Sequence, residues 1–107
     1  MTKRSNQDIS GWDVSNVTDM SFMFENIDDF DQDMGNWNFE SVTNMTGFLK
    51  GTELSKENYD RLFIALEATN NQIGVRFNGG NSKFTLGSEA EEARNKLKHN
   101  QKWEIKD

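Results

Sequence analysis

The densest set of oxygen ligands in the chain is Asp29-Phe30-Asp31-Gln32-Asp33, with Glu40 at the twelfth position counted from Asp29. Carboxylates at positions 1, 3, 5 and 12 are the donors of a helix-loop-helix calcium loop. That loop also needs glycine at position 6 for its sharp bend, and Met34 stands there. A polar turn is the better reading of the segment. Other chemistry has less support. The single histidine, His99, sits among lysines near the end of an expected surface helix, where it interacts favourably with the dipole. There is no cysteine nucleophile, no Gly-x-Ser-x-Gly elbow, and Gly79-Gly80 lacks the lysine and following helix of a phosphate loop. Glu89, Glu91 and Glu92 occupy the first turn of a helix, an ordinary place for acids. No catalytic residue, cofactor or required metal is expected.

The elements that must position any site come from a repeat of 25 residues. Asn6-Gln7-Asp8-Ile9-Ser10-Gly11-Trp12-Asp13-Val14 is answered by Asp31-Gln32-Asp33-Met34-Gly35-Asn36-Trp37-Asn38-Phe39, and Val17-Thr18-Asp19-Met20 by Val42-Thr43-Asn44-Met45. A repeat this short cannot bury its own apolar face and must stack on its neighbours. Asp8-Ile9-Ser10 and Asp33-Met34-Gly35 read as short strands, with Ile9 and Met34 inward. Trp12 and Trp37 are expected to be buried at equivalent positions. Met20, Met23, Phe24 and Ile27, repeated as Met45, Phe48, Leu49 and Thr52, have the spacing of a helical face, with Thr18 and Thr43 placed to cap it. Strands stacked in register would bring Asp8 to about 5 Å from Asp33. Either a turn N–H bonded to each carboxylate or a bridging cation must then offset the repulsion, and the turn N–H is the commoner solution.

Residues 6–24 closely resemble the repeat of the BspA-like bacterial surface proteins, a family with tandem leucine-rich-like repeats. The run Trp12-Asp13-Val14-Ser15-Asn16-Val17-Thr18-Asp19-Met20 followed by Met23-Phe24 carries the likeness. The second copy departs at Gly47-Phe48-Leu49. Leu54-Ser55, Asn58-Tyr59-Asp60, Phe77 to Phe84 and Trp103-Glu104-Ile105 resemble the family's C-terminal segment. The resemblance implies surface display and partner binding.

Residues 56–107 read independently as a cap. Ser55 opens a helix running to about Asn70, with Tyr59, Leu62, Phe63 and Leu66 as its apolar stripe. Ile73 to Phe77 is expected to be a strand and Asn78-Gly79-Gly80-Asn81 a turn. Ser88 and Glu91 form a capping box for a helix presenting Ala90, Ala93, Arg94 and Leu97. Trp103 and Ile105 make a last strand. The fold class is therefore α/β: a short leucine-rich-repeat-like solenoid with a parallel sheet and a C-terminal α/β cap. One domain over 1–107 divides into repeats (6–55) and capping segment (56–107).

The chain has 18 acidic and 12 basic residues, a net charge of −6, and no basic stripe, which argues against nucleic acid and against an anionic membrane surface. No apolar run reaches membrane-spanning length; because Met1-Thr2-Lys3-Arg4-Ser5 leads into the first repeat in mid-pattern and does not read as a signal peptide, an array truncated at its N-terminus is expected. Cell-surface or secreted location is expected by resemblance only. The function expected is a non-enzymatic interaction module for adhesion or protein recognition, with a contact surface including Asp8, Ser10, Asp13, Asp33 and Asn38. The alternatives are a purely structural cap and, more weakly, a small enzyme. Ile9, Trp12, Met20 and Phe24 are expected to leave apolar surface beside an unpaired strand edge, so that the chain self-associates weakly there or covers it with residues 1–7.

Overall fold

The computed structural model describes residues 8–107; the expected cover by residues 1–7 lies outside them. The fold is a small α/β unit. Helix α1 (Lys56–Thr69) leads to strand β1 (Arg76–Asn78), then helix α2 (Glu89–His99) and strand β2 (Glu104–Lys106). β1 and β2 pair in parallel with Arg76 opposite Glu104, Phe77 opposite Ile105 and Asn78 opposite Lys106, so α2 lies in the crossover between them.

The helices begin where their caps dictate. The Ser55 hydroxyl accepts the Asn58 N–H at 3.2 Å and the Ser88 hydroxyl that of Glu91 at 3.4 Å. The Glu91 carboxylate turns back to Gly87 N at 2.7 Å, one residue earlier than a capping box would place it. Tyr59, Leu62, Phe63 and Leu66 on α1 and Ala90, Ala93 and Leu97 on α2 are buried, as the 3.6-residue period requires. The first strand sits later than expected. Ile73 is 68% exposed, and Gly74, at φ +76°, turns the chain before Val75 and Phe77 enter the core.

The repeats depart from expectation. Neither Asp8–Ser10 nor Asp33–Gly35 forms a strand, and neither Met20–Ile27 nor Met45–Thr52 forms a helix; hydrogen-bonded turns replace both. In each repeat three Asp or Asn side chains close a turn on the N–H two residues ahead. Asp8, Asp13 and Asp19 do so in the first, and Asp33, Asn38 and Asn44 in the second, each pair 25 residues apart. Side-chain acceptors of this kind compete with helical and strand ladders. Left-handed residues break any helix as well: Phe22 and Asn26 (φ +57° and +56°) are matched in the second repeat by Gly47 and Gly51 (φ +66° and +75°).

The apolar spacing that mimics a helix belongs to a row bonded sideways. Met20, Phe22, Phe24 and Asn26 donate their N–H groups to the carbonyls of Asn44, Thr46, Phe48 and Lys50 at 2.8–3.0 Å. Asp19 and Asn44 form a parallel bridge, as do Met45 and Phe77. Thr43, instead of capping a helix, donates its N–H to the Thr18 carbonyl at 2.8 Å. Four rows, 19–26, 44–50, 76–78 and 104–106, are thereby linked in order.

The core runs beneath these rows. Phe24 stacks on Phe30 at 4.4 Å and meets Phe48 edge-on at 5.3 Å, while Phe77 touches Phe48, Phe63 and Trp103. Trp37 is 2% exposed, but Trp12 is 51% exposed and stacks on the outer side of Trp37 with centroids 6.2 Å apart. The two tryptophans are equivalent in sequence and not in burial. Ile9, Met20 and Phe24 are buried, so of the four residues expected to leave apolar surface at that end only Trp12 does.

Gly80 is required by space as well as by its φ of +66°: a Cβ there would collide with the carbonyl oxygens of Leu49 and Thr52. Near it, the Tyr59 hydroxyl donates to Asp107 Oδ2 at 2.8 Å, and Arg94 grips the same carboxylate through Nε and Nη2 while lying over the Phe84 ring. Burial, and then the Asp107 charge, push the Tyr59 phenol far above its ordinary range. Because the folded pKa is raised, this term is fully present below the unfolded value of about 10 and declines as the pH rises above it. Tyr59 is the single tyrosine, so ultraviolet titration is expected to show no phenolate in the folded protein. Phenolate absorbance should emerge only with alkaline unfolding, and a smooth titration near pH 10 in folded protein would contradict the burial.

Candidate functional site

The turn-closing aspartates have their oxygens engaged locally. Asp8 Oδ1 accepts the Ser10 N–H and hydroxyl at 2.9 and 2.8 Å, and Asp13 Oδ1 accepts those of Ser15 at 3.0 and 2.7 Å. Asp8 is held below the usual carboxylate range chiefly by the Ser10 N–H, and Asp13 and Asp19 chiefly by the hydroxyls of Ser15 and Ser21. Asp33 accepts the Gly35 N–H at 2.8 Å and pairs with Arg61 at 2.6 Å. Asn38 accepts from Glu40 N at 2.9 Å and donates to the Glu40 carboxylate at 2.7 Å. Asp8 and Asp33 each take a turn N–H, and Asp33 adds the Arg61 guanidinium.

Three of the four calcium-loop donors, Asp31, Asp33 and Glu40, are already engaged by neighbouring groups. Asp31 accepts from Ser55 N and Asn58 Nδ2, both at 2.9 Å, and Phe30 and Met34 are core residues. Among the described residues no three His, Cys, Asp or Glu side chains gather where they could hold a metal ion. Melting curves in chelator and in excess calcium are expected to coincide. A site at about a hundred times its dissociation constant would instead add about 2.7 kcal/mol.

A concave feature lies elsewhere among the described residues, across the four rows. A groove of about 610 Å³ runs from Phe22 over Thr46 and Gly47 to Asn78 and Ile105. Its floor is apolar: Gly47, Phe77 and Trp103 are buried, and Phe22 (48% exposed) lies over Gly47, where a Cβ would strike the ring. Its rim is cationic, formed by Lys50, Arg76, Lys98 and Lys106. One carboxylate, Glu104, faces them and pairs with Arg76 at 3.4 Å. None of Asp8, Ser10, Asp13, Asp33 or Asn38 lines this groove.

The groove residues did not stand out in the sequence because they come from five separate segments, 22, 46–50, 76–78, 98 and 103–106. One signal was present. From Ser5 to Leu49 the chain has no lysine, arginine or histidine, whereas ten lysines and arginines follow from Lys50 onward. Which of them converge depends on the row order.

A family model described as Mycoplasma protein of unknown function, DUF285, matches residues 1–73. No curated protein and no solved structure matches the chain. No helix among the described residues is long and apolar enough to cross a membrane.

Proposed function

We propose, starting from the fact that the chain belongs to the DUF285 family, that it is a protein-recognition module of a surface-displayed, BspA-like repeat protein. In this reading the two repeats are coils of a leucine-rich-like solenoid, and residues 56–107 cap it. The 25-residue register of turn-closing Asp/Asn and left-handed positions supports equivalent coils, as do the N–H bonds running from one row to the next. The single observation that carries recognition is the groove crossing all four rows. It is an extended concavity with an apolar floor, the form such modules use for partners. It adds a second contact surface to the Asp8, Ser10, Asp13, Asp33 and Asn38 face.

The test is surface plasmon resonance of the chain against a panel of purified extracellular proteins, with Thr46→Arg filling the groove and Ile73→Ser as an exposed control outside it. At least one saturable partner is expected to lose about tenfold in affinity, about 1.4 kcal/mol, on Thr46→Arg and nothing on Ile73→Ser. Partners indifferent to Thr46→Arg, or no partner at all, would leave the structural-cap reading. That second reading has its own support. The end of α1 clamps the second repeat, Asn70 Nδ2 donating to the Phe39 and Val42 carbonyls and Thr69 Oγ1 accepting from Phe39 N.

A further inference from the structure

The charge of this chain is segregated. Nine carboxylates and no cation lie between Ser5 and Leu49, while residues 50–107 hold ten lysines and arginines against nine acids. Four of those ten converge on the groove, and only Arg76 among them has an ion-pair partner within the described residues. Lys50, Lys98 and Lys106 stand exposed around an apolar floor. A chain of net charge −6 thus presents one locally cationic concavity.

We infer that this groove binds a short acidic peptide segment that inserts an apolar side chain beside Phe22. The inference rests on the proposed recognition role and names the ligand class of that same groove. The floor decides against a purely ionic ligand. Phe22, Gly47 and Ile105 offer contact area that a hydrocarbon or aromatic side chain would cover and a purely ionic ligand would leave uncovered. The rim decides the charge of the flanking residues, since three unpaired lysines favour carboxylates and disfavour a basic segment. The length is limited by what lies beyond. Phe22 sits in the cation-free first repeat with Asp19 and Glu25 near it in sequence, so a long polyanion following the groove would run into like charge. A segment of a few residues avoids that repulsion.

The test uses the whole chain and a fluorescein-labelled octapeptide, Glu-Asp-Phe-Glu-Asp-Leu-Glu-Asp, followed by fluorescence anisotropy. Saturable binding is expected, weakened about tenfold by Lys50→Glu with Lys106→Glu and falling steadily between about 50 and 500 mM salt. Phe22→Ser should weaken it several-fold at every salt concentration. A peptide with Gln and Asn for the acids should not compete, nor should one with Ser for Phe and Leu. Unchanged melting curves for the variants show that the fold is intact. No saturable binding, or affinity insensitive to Lys50→Glu/Lys106→Glu, overturns the inference. Displacement by a heparin-derived octasaccharide that itself binds more tightly also overturns it, in favour of a polyanion site. If the octapeptide fails while a panel protein still depends on Thr46, the ligand class is wrong and the recognition groove stands. If both fail, the recognition reading falls with it.

Discussion

Replacing Trp37 with alanine is expected to destabilise the protein by about 3–5 kcal/mol, and replacing Trp12 by only about 1 kcal/mol. Trp37 is 2% exposed, contacts Phe24 and Phe39 with ring centroids at 6.2 and 5.8 Å, and donates its Nε1–H to the Ile9 carbonyl at 3.0 Å. Alanine would leave a cavity in the middle of the core and a carbonyl without its donor. Trp12 has half its surface in water and makes one stacking contact, so less apolar area returns to solvent when it is removed. At about 4–8 °C per kcal/mol for a domain of this size, the two melting temperatures should differ by about 8 °C or more. Equal losses would mean that both indoles are inward-facing, as the repeat alone implies.

Asn70→Ala is expected to cost about 3–4 kcal/mol through unpaired polar groups. Asn70 is fully buried at the end of α1; its Nδ2 serves the Phe39 and Val42 carbonyls at 2.8 Å each, and its Oδ1 accepts the Gln72 N–H at 2.7 Å. Removing the amide takes the donor from the Val42 carbonyl, leaves the Phe39 carbonyl with the Val42 N–H alone, and takes the acceptor from the Gln72 N–H. Asn70→Asp is the sharper probe. It keeps the shape and the Oδ1 acceptor but points a carboxylate oxygen at two carbonyl oxygens. Burial and these acceptors would raise the folded pKa of the new acid, so its penalty should ease as the pH falls toward 4, when a protonated oxygen can donate to one carbonyl. Chemical denaturation of the three proteins at neutral and mildly acidic pH measures both effects. A loss below about 1 kcal/mol for Asn70→Ala would mean that water replaces the amide and that α1 does not clamp the second repeat.

Residues 56–107 were legible because their signals are local. Ser55 and Ser88 stand before apolar stripes of helical period, and a cap together with one periodic face is enough to specify a helix. The repeat unit was also legible, and so was the register of 25 residues in which its turns recur. Its internal structure was not. Met20, Met23, Phe24 and Ile27 satisfy a helical period, yet Phe22 and Asn26 take left-handed backbone and the N–H groups of Met20, Phe22, Phe24 and Asn26 bond to the next row. Sequence spacing records which side chains point inward and does not record whether the backbone closes on itself or on a neighbour.

What the sequence alone determined is what local signals impose wherever they occur: the 25-residue register, the turn N–H expected at Asp8 and Asp33, and the two capped helices. Tertiary structure decided what identical residues cannot distinguish. Trp12 and Trp37 share a motif, but one lies on an outer face and the other beneath it, because burial depends on what stacks on each side. Lys50, Arg76, Lys98 and Lys106 are scattered through half the chain, and only the order of the rows, with α2 carrying Lys98 in the crossover between the last two, brings them to one groove. Local hydrogen bonds are encoded within a few residues; convergence of distant charges exists only once the rows have stacked.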